Sequence, residues 1–90
     1  MIVVRQLRQM TTDTPAQWQG RVGERGSIYI RYRWGVLTAR VSETSSDPWE
    51  DSQIIFDQEV GERLSGYLTT AEMQAALAAV CHFLPEAPQA

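Results

Sequence analysis

The residues best suited to covalent chemistry stand side by side: Cys81 and His82, the single cysteine and the single histidine of the chain. A thiol and an imidazole act as nucleophile and base only when their side chains come within hydrogen-bond reach. This stretch predicts a helix, where sequence neighbours diverge by about 100° around the axis, so the two point apart. Cys81 falls on an apolar stripe and reads as a small core residue, while His82 falls on an alanine-rich flank, exposed. One cysteine and one histidine are too few ligands for a zinc site within one chain.

Carboxylates come next. Asp47, Glu50 and Asp51 form an acidic loop, followed by Asp57, Glu59 and Glu62. Clustered carboxylates can hold Mg²⁺ or Ca²⁺, but Asp47-Pro48-Trp49-Glu50-Asp51 lacks the alternating ligands and central glycine of a calcium loop. A solvated acidic loop is expected, with no metal and no cofactor. The glycines read as turns, because none sits between a strand and a helix with phosphate-loop spacing.

The most suggestive chemistry is arginine beside tyrosine. Tyr29, Arg31, Arg33 and Arg40, with Val36 and Thr38, are expected to share the outward face of a β-hairpin. Some single-stranded nucleic-acid surfaces are built this way, with bases stacked on rings and guanidinium groups on phosphates. An ordinary wet sheet face with a Tyr29–Arg40 cation–π pair is the plainer reading. Trp34 at the hairpin tip and Trp49 in the acidic loop are candidate interface anchors, whereas Trp18 reads as core.

The hairpin that positions these groups spans 27–42. Ile28, Ile30, Tyr32 and Trp34 alternate with Tyr29, Arg31 and Arg33; Leu37, Ala39 and Val41 alternate with Val36, Thr38 and Arg40. If Trp34-Gly35 is a two-residue loop, with Gly35 supplying a positive φ, Tyr32 faces Leu37, Ile30 faces Ala39 and Ile28 faces Val41. Every apolar residue then meets an apolar partner, and a one-residue slip destroys the match.

Around it, residues 2–10 read as a strand; residues 15–22 fit either a short helical turn capped by Thr14 with Pro15 at its first position or, as the favoured reading, a strand over 17–22 with Trp18, Gly20 and Val22 on one face, and 23–26 read as a turn. Residues 53–56 form a short apolar strand and 57–65 a polar turn. Thr69-Thr70-Ala71-Glu72 fits a capping box opening a helix over about 70–84, striped by Met73, Ala76, Leu77, Val80, Cys81 and Leu84 and ended by Pro85. Ala71, Ala75, Ala78 and Ala79 line its other flank. The expected fold is α+β: an antiparallel, meander-like sheet of four to five strands packed on one C-terminal helix. Residues 1–84 form one domain and 85–90 a frayed tail. Ile28, Ile30, Leu37, Ala39, Val41, Ile54 and Phe56 are expected to face the helix.

Composition bounds the rest. With 43% hydrophobic and 21% charged residues the chain lies in the globular range. A single cysteine permits no internal disulfide, no run nears the ~20 apolar residues of a membrane span, and the N-terminus is charged too soon for a signal peptide. A cytoplasmic protein is expected. All eight basic residues are arginine, which codon bias in a GC-rich genome explains. Residues 1–42 hold seven arginines and two acids, a net of +5, and residues 43–90 one arginine and nine acids, a net of −8. Such asymmetry points to charged partners or to neutralisation within or between subunits.

The leading functional expectation is a non-enzymatic protein-interaction module, accessory, regulatory or inhibitory, with a homodimer as one form. Single-stranded nucleic-acid binding through Tyr29, Arg31, Arg33 and Arg40 is the alternative. A divalent-metal-dependent enzyme using Asp47, Glu50 and Asp51 is the most distant.

Overall fold

A computed structural model describes residues 1–11, 16–42, 52–60 and 68–84. The elements are β1 (Ile2–Thr11), β2 (Ala16–Val22), β3 (Gly26–Arg33), β4 (Val36–Ser42), β5 (Gln53–Glu59), α1 (Thr70–Ala76) and β6 (Cys81–Phe83). They form one six-stranded sheet in the order β5-β4-β3-β2-β1-β6, curled into a half-barrel. The first five strands are antiparallel neighbours in chain order, the meander that short turns favour.

The β3–β4 hairpin has the expected register. Arg33 lies opposite Val36, Tyr32 opposite Leu37, Ile30 opposite Ala39, and Ile28 opposite Val41. Its loop takes positive φ at Trp34 (56°) as well as Gly35 (78°), the paired left-handed conformation whose twist matches the strands. Ile28, Ile30, Tyr32, Leu37, Ala39 and Val41 are all buried. Trp18 and Val22 of β2 join them, and Met73 of α1 and its C-cap residue Leu77 belong to the same core cluster. Burying each large side chain contributes about 1.5–3 kcal/mol. Polar pins align the layers. The Trp18 indole N–H donates to Thr70 Oγ1 at 2.9 Å, and the Tyr32 hydroxyl donates to the Val60 carbonyl at 2.6 Å.

Three expectations need correction. The helix does not run to residue 84; it ends at Ala76, followed by a turn and then β6. Cys81 N–H donates to the Leu77 carbonyl at 2.8 Å, an i−4 bond that mimics one more helical turn and keeps Met73, Leu77 and Cys81 on the core side. Beyond it the chain extends along β1, with Ile2 N–H donating to the Val80 carbonyl and Leu84 N–H to the Val4 carbonyl. These ladder bonds satisfy backbone groups on one edge of β1, which a longer helix would leave open. Ala78 and Ala79 therefore lie in the turn and form no helical flank.

The sheet is consequently mixed. The β1–β6 pair is parallel, and the strands number six. Cys81 and His82 still diverge, now because successive strand residues point to opposite faces: Cys81 is buried and His82 exposed. The third correction concerns β5, which continues through Asp57–Gln58–Glu59 where a turn is expected. A register shift sets Ala39 opposite Phe56 but Arg40 opposite Ile54. This bulge inverts the alternation, so Phe56 packs inward while Ile54 is 47% exposed on the arginine side. The expected acidic loop, Trp49 and the tail 85–90 lie outside the described residues. No helix among the described residues is long and apolar enough to cross a membrane.

Candidate functional site: an arginine face on the sheet

The inward residues of each strand make the core, and the alternate residues make a polar face on the other side of the sheet. Its rows follow from the pairing. Gln19, Tyr29, Arg40 and Ile54 are successive neighbours across β2 to β5, and Arg8 of β1 lies opposite Gln19. Gln17, Arg31, Thr38 and Asp57 form the next row, and Arg33, Val36 and Glu59 a third. Towards the far end, Arg5 lies opposite Arg21, and Arg21 opposite Ser27. Paired residues in antiparallel strands project to the same side. Arg5, Arg8, Arg21, Arg31, Arg33 and Arg40 therefore share one face.

Charge on this face is graded. Arginines occupy β1 to β4, while Asp57 and Glu59 sit on the edge strand β5. The Thr38 hydroxyl donates to Asp57 Oδ1 at 3.4 Å, and Arg40 Nη1 donates to Ser52 Oγ at 3.4 Å. Tyr29, Arg31 and Arg40 are half-buried, and Arg33 is exposed. The Arg33 guanidinium lies 6.0 Å from the centre of the Trp34 ring, a loose cation–π contact at the hairpin tip. Trp34 is 60% exposed. The structure thus brings together Tyr29, Arg31, Arg33 and Arg40, with Trp34 at their border; Asp47, Trp49, Glu50 and Asp51 fall outside the described residues.

Arg8, Arg21 and Arg25 were not singled out by the sequence reading. Arg21 was within reach of it, since its position opposes the buried alternation of Trp18, Gly20 and Val22. Arg8 needed the irregularity in β1. There the register shifts between Arg5 and Arg8, and Gln6 takes a φ of 53°. Gly20 permits the close approach: a Cβ on it would lie 2.8 Å from Val4 Cγ1 and 3.3 Å from the Arg5 carbonyl oxygen.

Other titratable groups have structural explanations. Burial pushes the Cys81 thiol up, away from the reactive thiolate. Glu72 is held below the usual carboxylate range, first by the Thr69 backbone N–H and then by the Thr69 hydroxyl, both donating to its carboxylate. The Glu72 backbone N–H in turn donates to Thr69 Oγ1 at 3.1 Å, completing the expected capping box. No group of three or more His, Cys, Asp or Glu placed to hold a metal ion occurs among the described residues. The chain matches no protein-family model, no curated protein and no solved structure, so the reading of this face rests on its own residues.

Proposed function

We propose that the protein is a small, non-enzymatic cytoplasmic interaction module that docks an acidic protein surface on its arginine face, self-association being one form of that docking. The observation that carries this reading is the alignment of Arg5, Arg8, Arg21, Arg31, Arg33 and Arg40 on the side of the sheet away from the core. The strand ladder fixes the spacing of their backbone positions, so binding has only the side chains left to order. Complementary charge steers encounter and fixes orientation. Residues 43–90 carry a net charge of −8, the sign complementary to this face that a second copy would need.

Sedimentation at low and high salt, together with affinity capture by the wild-type chain and by an Arg31→Glu/Arg33→Glu variant, tests the proposal. A salt-sensitive dimer or captured acidic protein, present with the wild type and lost with the variant, is expected. A monomer at both salt concentrations, with identical captures by the two baits, would remove the reading.

A second reading, single-stranded nucleic acid, is favoured by Tyr29 standing between Arg31 and Arg40. The hollow lined by Tyr29, Arg31, Thr38 and Arg40 measures only ≈ 10 Å³, too little to admit a base. Stacking would be limited to the half-buried Tyr29 ring and the Trp34 ring at the border, fewer platforms than such surfaces use. Titration of labelled oligonucleotides at low salt separates the readings: saturable, salt-dependent binding that vanishes in the same variant would favour nucleic acid.

A further inference from the structure

We propose that the bulged end of the arginine face is a distinct binding cleft for a small phosphorylated molecule, one that carries two adjacent phosphoryl groups. An open cleft of about 410 Å³ lies there, within the range of small-ligand sites. Its side chains are those of Gln6, Arg8, Gln19, Arg21, Arg25 and Ser27. Three guanidiniums, two amides and a hydroxyl are groups able to donate hydrogen bonds, and no carboxylate among the described residues lines the cleft. Guanidinium groups bind phosphate oxygens through paired, charge-assisted hydrogen bonds. A diphosphate offers enough acceptor oxygens for all three, where a single phosphate or a carboxylate offers fewer. No aromatic or large apolar side chain among the described residues lines it, so the cleft would read the charged head group and leave the rest of the molecule outside.

The backbone is arranged around this cleft. Gln6, with its positive φ, occupies a conformation that glycine adopts freely and that costs other residues about 1 kcal/mol or more. Keeping an amide side chain at that position fits a ligand contact. Arg5 donates to the carbonyl of Gly23, which fastens the turn carrying Arg25 to β1. Gly20 and Gly26 contribute bare backbone to the wall. The cleft shares Arg8 and Arg21 with the docking face and adds Arg25, whereas the docking proposal is tested through Arg31 and Arg33, so either can fail without the other.

Calorimetric titration of the full chain with sodium pyrophosphate, inorganic phosphate, a nucleoside diphosphate and a short oligothymidylate tests the cleft. Saturable one-to-one binding of pyrophosphate is expected, with inorganic phosphate weaker and the nucleoside diphosphate within about threefold of pyrophosphate. Arg21→Gln and Arg25→Gln change exposed residues and should each weaken it by about tenfold or more. Gln6→Gly keeps the backbone conformation and should weaken it by a few-fold, while Arg33→Gln should leave it unchanged. Absence of saturation by about 10 mM pyrophosphate would overturn the proposal. So would equal losses in Arg33→Gln and Arg21→Gln, or tighter binding of the oligonucleotide through these arginines.

Discussion

The two faces of the β3–β4 hairpin share one register and answer to different demands. On the inner face Ile28, Ile30, Tyr32, Leu37, Ala39 and Val41 are buried against β2 and α1. On the outer face Tyr29, Arg31, Arg33, Val36, Thr38 and Arg40 remain half-buried or exposed. The inner face is accounted for by stability, since apolar partners meet in rows and nothing is left over. The outer face is less fully accounted for: on its continuation into β1 and β2, Arg5 lies directly opposite Arg21, and like charges so placed cost stability in a sheet. A surface whose side chains the fold buries only in part is where an external partner would act. Substitutions on the inner face should therefore change stability and spare binding per folded molecule, and those on the outer face should do the reverse.

The sharpest test of the inner face is Leu37→Ala. Leu37 is fully buried, and the cavity should cost about 2–5 kcal/mol, read by urea denaturation. An effect below about 1 kcal/mol would show that the inner face is not the core described here. Gly20→Ala probes the junction of the two faces. The added methyl meets Val4 Cγ1 at 2.8 Å, so the Val4 side chain or β1 itself must shift, with a loss of about 1–3 kcal/mol in the same assay.

A pH dependence follows from the helix cap. The carboxyl of Glu72 has its pKa lowered in the folded state. Its contribution is present above the ordinary carboxylate pKa of about 4.3 and is lost as pH falls through the lowered folded value. Melting temperatures taken downward from about pH 6 should decline more steeply for the wild type than for Glu72→Gln. Parallel curves would remove the cap from the account. The smallest stability effect belongs to Trp34→Asn. Asparagine accepts the left-handed conformation that Trp34 now holds, so the hairpin should gain about 0.5–1 kcal/mol. If Trp34 anchors a partner, that gain comes with weaker docking; unchanged docking would confine Trp34 to the turn.

The hairpin was legible because two independent signals, turn chemistry and apolar matching, selected the same register. It carried Tyr29, Arg31, Arg33 and Arg40 with it. The bulges were not legible. A strict two-residue alternation puts Ile54 and Phe56 on one face, and the irregularity between the residues facing Ala39 and Arg40 separates them. The helix end was hidden for a related reason. Met73, Leu77 and Cys81 keep a four-residue spacing whether the last interval is helix or a hydrogen-bonded turn, and only β1's open edge selects a strand for Cys81–Phe83. Arg8, Arg21 and Arg25 come together through strand order and the positive φ of Gln6, neither of which leaves a local pattern.

The measurement that bears most directly on the outer face is an amide NMR titration with a poly-glutamate peptide and, in parallel, an oligothymidylate. The account predicts salt-sensitive shifts with the acidic peptide, concentrated at Gln17, Gln19, Arg31, Arg33, Thr38 and Arg40, and little change at Ile28, Ile30, Leu37 and Ala39. Shifts confined to the edge strands β5 and β6, or stronger shifts on the arginine face with the oligonucleotide than with the peptide, would contradict it.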